Sequence, residues 1–340
     1  MKKTRIAING FGRIGRLFFR QAFDNENLEI VAINDLGDLA NLAYLLKYDT
    51  VYRQFPGEVE IKNGNLIIDG NEIKYTQIKD PSQLSWKELD IDIVVESTGV
   101  FESYEKAKVH LDAGAKRVVI TAPAKDADGA LGRTVLSGVN EEDMKVCKIT
   151  SNGSCTTNAA SPVIQILEES IGIEKAILST VHAYTATQGI VDSPTKGADY
   201  RRGRAGAQNI SPSTTGAAIA VTRTIKSLEG KFDGIAIRVP VVTGSIADIT
   251  FISKKNTTVL EINNIFKKAA ADPRWEGIFK ITEDQLVSSD IIGEPYGAII
   301  DLNFTKVVDG NLVKVMSWYD NEMGYVQTLI NHVVKASQSL

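Results

Sequence analysis

Thr4-Arg-Ile-Ala-Ile-Asn-Gly-Phe-Gly-Arg-Ile-Gly-Arg16 is followed by Glu29-Ile-Val-Ala-Ile-Asn-Asp35. The first six residues read as a short strand. Arg13 to Phe23 reads as an amphipathic helix with Ile14, Leu17, Phe18 and Ala22 on one face. Between them lies Gly10-x-Gly12-x-x-Gly15, which alone is a weak signal. Here it joins strand to helix, and Asp35 ends a second strand 20 residues past Gly15. That is the full context of a dinucleotide-binding turn. Gly10 permits the tight turn, Gly12 lets backbone approach a pyrophosphate, and Gly15 lets helix and strand pack closely. The helix start would offer its N–H groups to the phosphates. Asp35 would accept hydrogen bonds from the adenosine ribose and repel a 2′-phosphate.

The alternation continues downstream. Leu39 to Leu46 reads as helix, Val59 to Ile61 and Asn65 to Ile68 as weaker strands, with a turn at Asp69-Gly70. Ile91 to Glu96 is an apolar, β-branched run of the buried kind. Ser103 to Ala113 reads as helix and Arg117 to Ile120 as strand. This pattern predicts a doubly wound (Rossmann) parallel sheet, an α/β fold, over the first ~150 residues. The character then changes. Ala176 to Val181, Gly234 to Val239 and Ser245 to Lys254 read as strands, and Val259 to Ala271 as helix. Asn303 to Val308 and Leu312 to Trp318 flank Asp309-Gly310 as a hairpin, and Tyr325 to Ser337 closes the chain as a helix. These elements predict an α+β second domain.

At 340 residues the chain is too long for one comfortable core and suits two domains. A formal charge of −4 gives no bulk attraction to nucleic acid or to anionic membrane. No run of ~18 apolar residues occurs, so no membrane span is expected, and the chain reads as cytoplasmic. Cys147 and Cys155 are too few for a disulfide framework. His110, His182 and His332 are far apart in sequence and lack metal-site spacing, so no metal site is expected.

Cys155 lies in Ser151-Asn-Gly-Ser-Cys-Thr-Thr-Asn158, just before an apolar, helix-like run. Small polar residues there mark a helix start, whose N–H groups and dipole favour a negative charge. A thiol in that place is expected to ionise more easily, and the thiolate is the nucleophile. A nucleophile beside a dinucleotide site suggests aldehyde oxidation. An aldehyde cannot release hydride until something adds to it, and a thiolate would form a hemithioacetal and then a thioester. That chemistry needs a base. His182, at the end of a strand with Thr180, Thr185 and Thr187 nearby in sequence, is the candidate. His110 and His332 sit in ordinary helix patterns and are read as non-catalytic. Ser213-Thr-Thr-Gly216 before an Ala-rich helix, Arg238 at a strand end and Arg201-Arg-Gly-Arg204 are suited to phosphate.

Asn9 to Arg16, Ser151 to Asn158, His182-Ala-Tyr-Thr185 and Ser317-Trp-Tyr-Asp-Asn-Glu322 occur in order and at fitting spacing. On these motifs the chain resembles the phosphorylating glyceraldehyde-3-phosphate dehydrogenases along essentially its whole length. The resemblance implies NAD as cofactor, glyceraldehyde 3-phosphate and inorganic phosphate as substrates, and a homotetramer. It implies Cys155 as nucleophile and His182 as base. Gly10, Gly12, Arg13, Ile14, Gly15, Asp35, Lys79, Thr121 and Asn321 match cofactor contacts, Asn321 orienting the nicotinamide amide. Ser154, Thr156, Thr215 and Gly216 match the site of incoming phosphate, and Arg238 is shared between the two anion sites. Thr185 and either Arg201 or Arg202 match the substrate-phosphate site.

The implied domains are 1–152, completed by the C-terminal segment 318–340, for NAD, and 153–317 for catalysis. Gly153 and Ala159 depart from the family's usual alanine and second cysteine, and Ser193 replaces a common leucine. An erythrose-4-phosphate dehydrogenase is the alternative within this chemistry. A non-catalytic nucleotide-binding regulator would be marked by loss of Cys155, His182 or Arg238, and all three are present.

Overall fold

The computed structural model describes residues 2–195 and 197–340. The chain divides into two compact units, Met1–Gly153 with Val326–Leu340, and Ser154–Tyr325.

The first unit is built on a nine-stranded sheet. Its order is Gly132–Thr134, Ile149–Ser151, Arg117–Ile120, Ile93–Glu96, Thr4–Asn9, Leu28–Asn34, Asn71–Thr76, Asn65–Ile68 and Val59–Lys62. The first seven run parallel. The last two pair antiparallel with their neighbours, as a meander at the edge. Thr4–Asn9 lies centrally, and successive strands leave it in opposite directions across the sheet. Ligands of such sheets bind at that switch point, outside the carboxyl ends of the strands. Ile6, Ala7, Ile8, Ile93, Val94 and Val95 are fully buried, which is why these strands read as continuous apolar runs.

Two expectations change here. Asn71–Thr76 is a strand, although Glu72 and Lys74 give it a polar look. Both are exposed, while Ile73 and Tyr75 face inward. The helix expected over Ser103 to Ala113 forms as two single turns, Tyr104–Ala107 and Val109–Asp112, meeting at Lys108.

The second unit carries an eight-stranded mixed sheet. Its path is Ser211–Thr214, Phe232–Val239, Ile173–Ala183, Ser245–Ser253, Leu312–Tyr319, Ala298–Asp301 and Phe279–Thr282, and Lys306–Val308 also pairs with Leu312–Tyr319. Ser245–Ser253 alternates strictly between buried and half-buried positions, as a sheet covered on one face requires. Helix Cys155–Ser170 packs on this sheet beside Ala217–Thr224 and Val259–Ala270. The other face shows Ile177, Ile235 and Leu312 to solvent.

Candidate active site

The glycine turn forms as its spacing predicts. Gly10 takes φ +97°, and an added Cβ would lie 2.6 Å from Thr98 N. A Cβ on Gly15 would lie 2.1 Å from Gly10 O, so only glycine lets helix and turn approach this closely. Gly12 is different: an added Cβ meets nothing within 4 Å, so its backbone faces open space. Gly12 also caps helix Arg13–Ala22 without any side-chain cap, so the first N–H groups stay available to an anion. Asp35 accepts from Phe11 N (2.6 Å) and Gly37 N (2.7 Å), one bond to each carboxylate oxygen. Each oxygen keeps lone-pair capacity for a ribose hydroxyl. This donor and acceptor set fits an adenine dinucleotide. Arg13 pairs with Asp49, and Ile14 is half-buried beside it. Thr121 sits just past Arg117–Ile120, its N–H on Glu96 O. Lys79 is exposed, and no hydrogen bond or ion pair among the described residues ties it to the others.

Beneath the turn runs a buried polar chain that the motifs do not reveal. Asn34 Nδ2 donates to Asn9 Oδ1 (2.8 Å), and Asn9 Nδ2 donates to Glu96 Oε2 (2.6 Å). Trp86 Nε1 donates to His110 Nδ1 (3.1 Å). An indole only donates, so His110 keeps its proton on Nε2 and donates it to Glu96 (3.0 Å). Thr98 N closes the chain on Glu96 Oε1 (2.9 Å). These bonds join the turns after three parallel strands, Thr4–Asn9, Leu28–Asn34 and Ile93–Glu96, so the loops that carry Gly10, Asp35 and Thr98 are fixed relative to one another. The available signal was a polar residue ending each apolar strand: Asn9, Asn34 and Glu96.

In the second unit Cys155 is the first residue of its helix. Ser154 Oγ accepts from Thr157 N (3.2 Å) and Thr157 Oγ1 accepts from Ser154 N (3.1 Å), a reciprocal cap. The N–H groups of Cys155 and Thr156 point at the sulfur and favour its anion. Cys155 Sγ lies 3.3 Å from His182 Nε2. Gly153 adopts φ +64°, a conformation natural to glycine.

His182 owes its place to the sheet. Ile173–Ala183 and Phe232–Val239 run parallel, and the register sets His182 directly beside Arg238. His182 Nδ1 is 2.7 Å from Ala183 O and 2.7 Å from Arg238 Nη1. The threonines expected around His182 serve elsewhere. Thr180 Oγ1 bonds Tyr319 Oη (2.7 Å), and Thr185 Oγ1 bonds Thr187 Oγ1 (2.9 Å). Tyr319, not singled out by its sequence, also bonds Thr156 Oγ1 (2.8 Å), and its ring stands edge-on to the imidazole.

Electrostatics correct one expectation. Cys155 keeps some solvent exposure, yet the dense protein around it raises its pKa against the opposing pull of Arg238, Thr156 and the helix N–H groups. Burial, then Arg238, lowers His182 to about 3. Burial here opposes what the helix start and Arg238 favour at the sulfur.

Asn321 Oδ1 accepts from Ser245 Oγ (2.9 Å), Gly244 N (3.2 Å) and Thr243 Oγ1 (3.3 Å). Three donors fix the flip of the amide and leave Nδ2 as a directed donor. Thr215 Oγ1 accepts from Ala217 N (3.2 Å), and Gly216 caps helix Ala217–Thr224 with no side chain in the way. Arg201 and Arg202 differ in position. Arg201 is exposed and bound to Asp199 (2.7 Å). Arg202 reaches Ser213 Oγ (3.5 Å), on the strand next to Arg238, and its charge is felt at Arg238. The structure thus gathers Cys155, His182, Arg238 and Arg202, with Thr156 turned toward Tyr319.

Residues 4–104 match the family model described as glyceraldehyde 3-phosphate dehydrogenase, NAD binding domain, and residues 154–321 match its C-terminal domain. The chain belongs to the glyceraldehyde-3-phosphate dehydrogenase family. It is 51% identical to the glyceraldehyde-3-phosphate dehydrogenase of Thermotoga maritima over 96% of this chain and 97% of that one. It is 47% identical to that of Clostridium pasteurianum, over 96% of both chains. It is 46% identical to that of Streptomyces coelicolor, over 99% of both. All three carry the glyceraldehyde name, which leaves the erythrose alternative without support. Among the described residues no helix is long and apolar enough to cross a membrane, and no group of three or more metal-ligating side chains converges.

Proposed function

We infer that this chain oxidises D-glyceraldehyde 3-phosphate and phosphorylates it to 1,3-bisphosphoglycerate, with NAD, through a thioester on Cys155. The observation that carries this reading is the 3.3 Å contact of Cys155 Sγ with His182 Nε2 at a capped helix start. Cys155 Sγ adds to the aldehyde carbon while its proton passes to His182 Nε2. The Cys155 N–H and the newly protonated Nε2 face the oxygen that gains charge. Bound NAD supplies the hydride acceptor, chemistry that no side chain of the protein offers. His182 gives that proton to the oxyanion, making the hemithioacetal hydroxyl, and takes it back as hydride leaves the carbon, the carbonyl re-forms and the thioester is left. Gly10, Gly12, Arg13, Ile14, Gly15, Asp35, Lys79, Thr121 and Asn321 would hold the cofactor.

Arg238 and Arg202, with Thr185, hold the substrate phosphate. Ser154, Thr156, Thr215 and Gly216, with Arg238, hold the phosphate that cleaves the thioester. Residues 1–153 with 326–340 act as the NAD domain and 154–325 as the catalytic one, so that residues 318–325 of the expected C-terminal segment go with the catalytic unit. The assembly is a homotetramer. Ile235 and Ile177, on adjacent strands, and Leu312, two strands further on, lie on one open sheet face and form the kind of apolar patch that association covers. Two free cysteines and no disulfide suit a reducing cytoplasm.

An NADH absorbance assay with varied inorganic phosphate tests the reaction. Steady turnover should require phosphate, and omitting it should leave a single burst of NADH. Steady turnover at full speed without phosphate would exclude the thioester route, and a higher kcat/KM for erythrose 4-phosphate would reassign the substrate.

Asp35 sets the cofactor preference, and NAD is expected over NADP. Asp35→Ala should raise KM for NAD at least about tenfold, the cost of a charge-assisted hydrogen bond. It should also narrow the gap between NAD and NADP. Parallel kcat/KM values for both cofactors check this, and an unchanged ratio would remove Asp35 from the ribose site.

A further inference from the structure

The chain turns from strand Leu312–Tyr319 into helix Met323–Ser337 through Asp320, which is wholly buried. A buried carboxylate needs donors on its oxygens. Asp320 Oδ1 accepts from the N–H groups of Glu322 (2.9 Å) and Met323 (2.8 Å), at the helix start. Its Oδ2 accepts from Gly293 N (2.8 Å). Thr243 Oγ1 also donates to Oδ1, at 3.2 Å. Capping a helix needs only the first two bonds, which serine or asparagine could make as well. The other two tie the turn to segments far from it in sequence.

One of those segments is the loop that holds Asn321. Thr243 Oγ1 lies 3.2 Å from Asp320 Oδ1 and 3.3 Å from Asn321 Oδ1, and its single hydroxyl hydrogen is shared between them. Gly244 N and Ser245 Oγ complete the grip on Asn321 Oδ1. Asp320 and Asn321 are neighbours in the chain, so residues 243–245 hold one peptide unit by two side chains. The four groups named on Asp320 are all donors. A carboxylate meets each of them, whereas an amide in its place would turn an NH2 against one of them.

We propose that Asp320 is a positioning residue for the nicotinamide: its carboxylate locks loop 243–245 and the helix start around Asn321, and so aims Asn321 Nδ2 at the nicotinamide amide. Being wholly buried, Asp320 acts through Asn321 and not on the cofactor itself. Its influence is therefore confined to the nicotinamide half of the dinucleotide. The adenosine half depends on the glycine turn and Asp35, which Asp320 does not touch. The proposal rests on the assignment of Asn321 to the nicotinamide amide above.

The test reads binding and not turnover. Calorimetric titration of the full chain compares NAD with ADP-ribose, which has the adenosine and the diphosphate but no nicotinamide. Asp320→Asn keeps Oδ1 for the helix N–H groups and sets an NH2 against Gly293 N. It should raise Kd for NAD at least about tenfold, the scale of an unmet buried hydrogen bond, and leave Kd for ADP-ribose within about twofold. A merely structural role would weaken both ligands alike. Thr243→Val removes only the shared hydroxyl and leaves the helix start intact, and should give a smaller loss of the same selective kind. An NAD loss no greater than the ADP-ribose loss in Asp320→Asn would overturn the proposal; should that variant fail to fold, the same result in Thr243→Val would do so. Asn321→Ala separates the two claims. A selective NAD loss there, with none in the other variants, would keep Asn321 in its role and remove Asp320. No selective loss in Asn321→Ala would withdraw the assignment of Asn321, and the proposal with it.

Discussion

Serine in place of Cys155 is expected to cut kcat at least ~10⁴-fold, the scale on which loss of a covalent nucleophile acts. The fold should hardly notice. The cap at the helix start is made by Ser154 and Thr157, and neither bond involves the thiol. The chemistry should fail for two reasons. A hydroxyl ionises far less readily than a thiol, and the two helix N–H groups and Arg238 that favour a sulfur anion here are already outweighed by burial. An alkoxide in the same place would be rarer still. The ester it formed would also be a poorer acyl donor than a thioester. Steady-state kcat with saturating phosphate checks the prediction. Turnover within tenfold of the unsubstituted protein would mean that another group attacks the aldehyde.

The second large effect belongs to the base. His182→Asn should slow acylation by ~10²–10⁴-fold at neutral pH, the usual contribution of a positioned general base. An asparagine amide can still donate to the developing oxyanion, so the loss isolates proton transfer. Because His182 titrates at about 3, it stays neutral from there upward, and its protonation cannot cause a fall in rate between pH 5 and 7. The thiol's pKa is raised above its ordinary value, so its titration does not fall in that window either. In His182→Asn the acylation rate should climb with pH as solvent takes over the thiol proton, narrowing the gap in alkaline solution. The single-turnover NADH burst measured across pH is the readout. An equal burst rate at pH 7 in both proteins would remove His182 from the step.

Much of this was legible in the chain itself. The glycine turn, Asp35 and the apolar strands report local rules, since strand, turn and helix start are set by residues close in sequence. The capped cysteine was legible for the same reason. What could not be read depends on neighbours far apart in sequence. Arg238 meets His182 only because two strands 56 residues apart pair in a particular register. The thiol's raised pKa depends on burial that no local pattern states. That Arg202, and not Arg201, reaches Ser213 across a short turn is likewise stated by no local pattern. The polar chain through Asn9, Glu96 and His110 joins residues up to 101 apart, and Tyr319 gave no sign of its two threonine partners. Asn71–Thr76 was missed because an edge-region strand with one exposed face alternates Glu and Lys with Ile and Tyr.

The account stands most directly on the covalent step. The enzyme is mixed with NAD and glyceraldehyde 3-phosphate in phosphate-free buffer, quenched in acid and digested, and its peptides are weighed. One NADH per chain should form rapidly, and an acyl mass should appear on the peptide holding Cys155 and not on that holding Cys147. NADH formed in full with both cysteine peptides unmodified would contradict it.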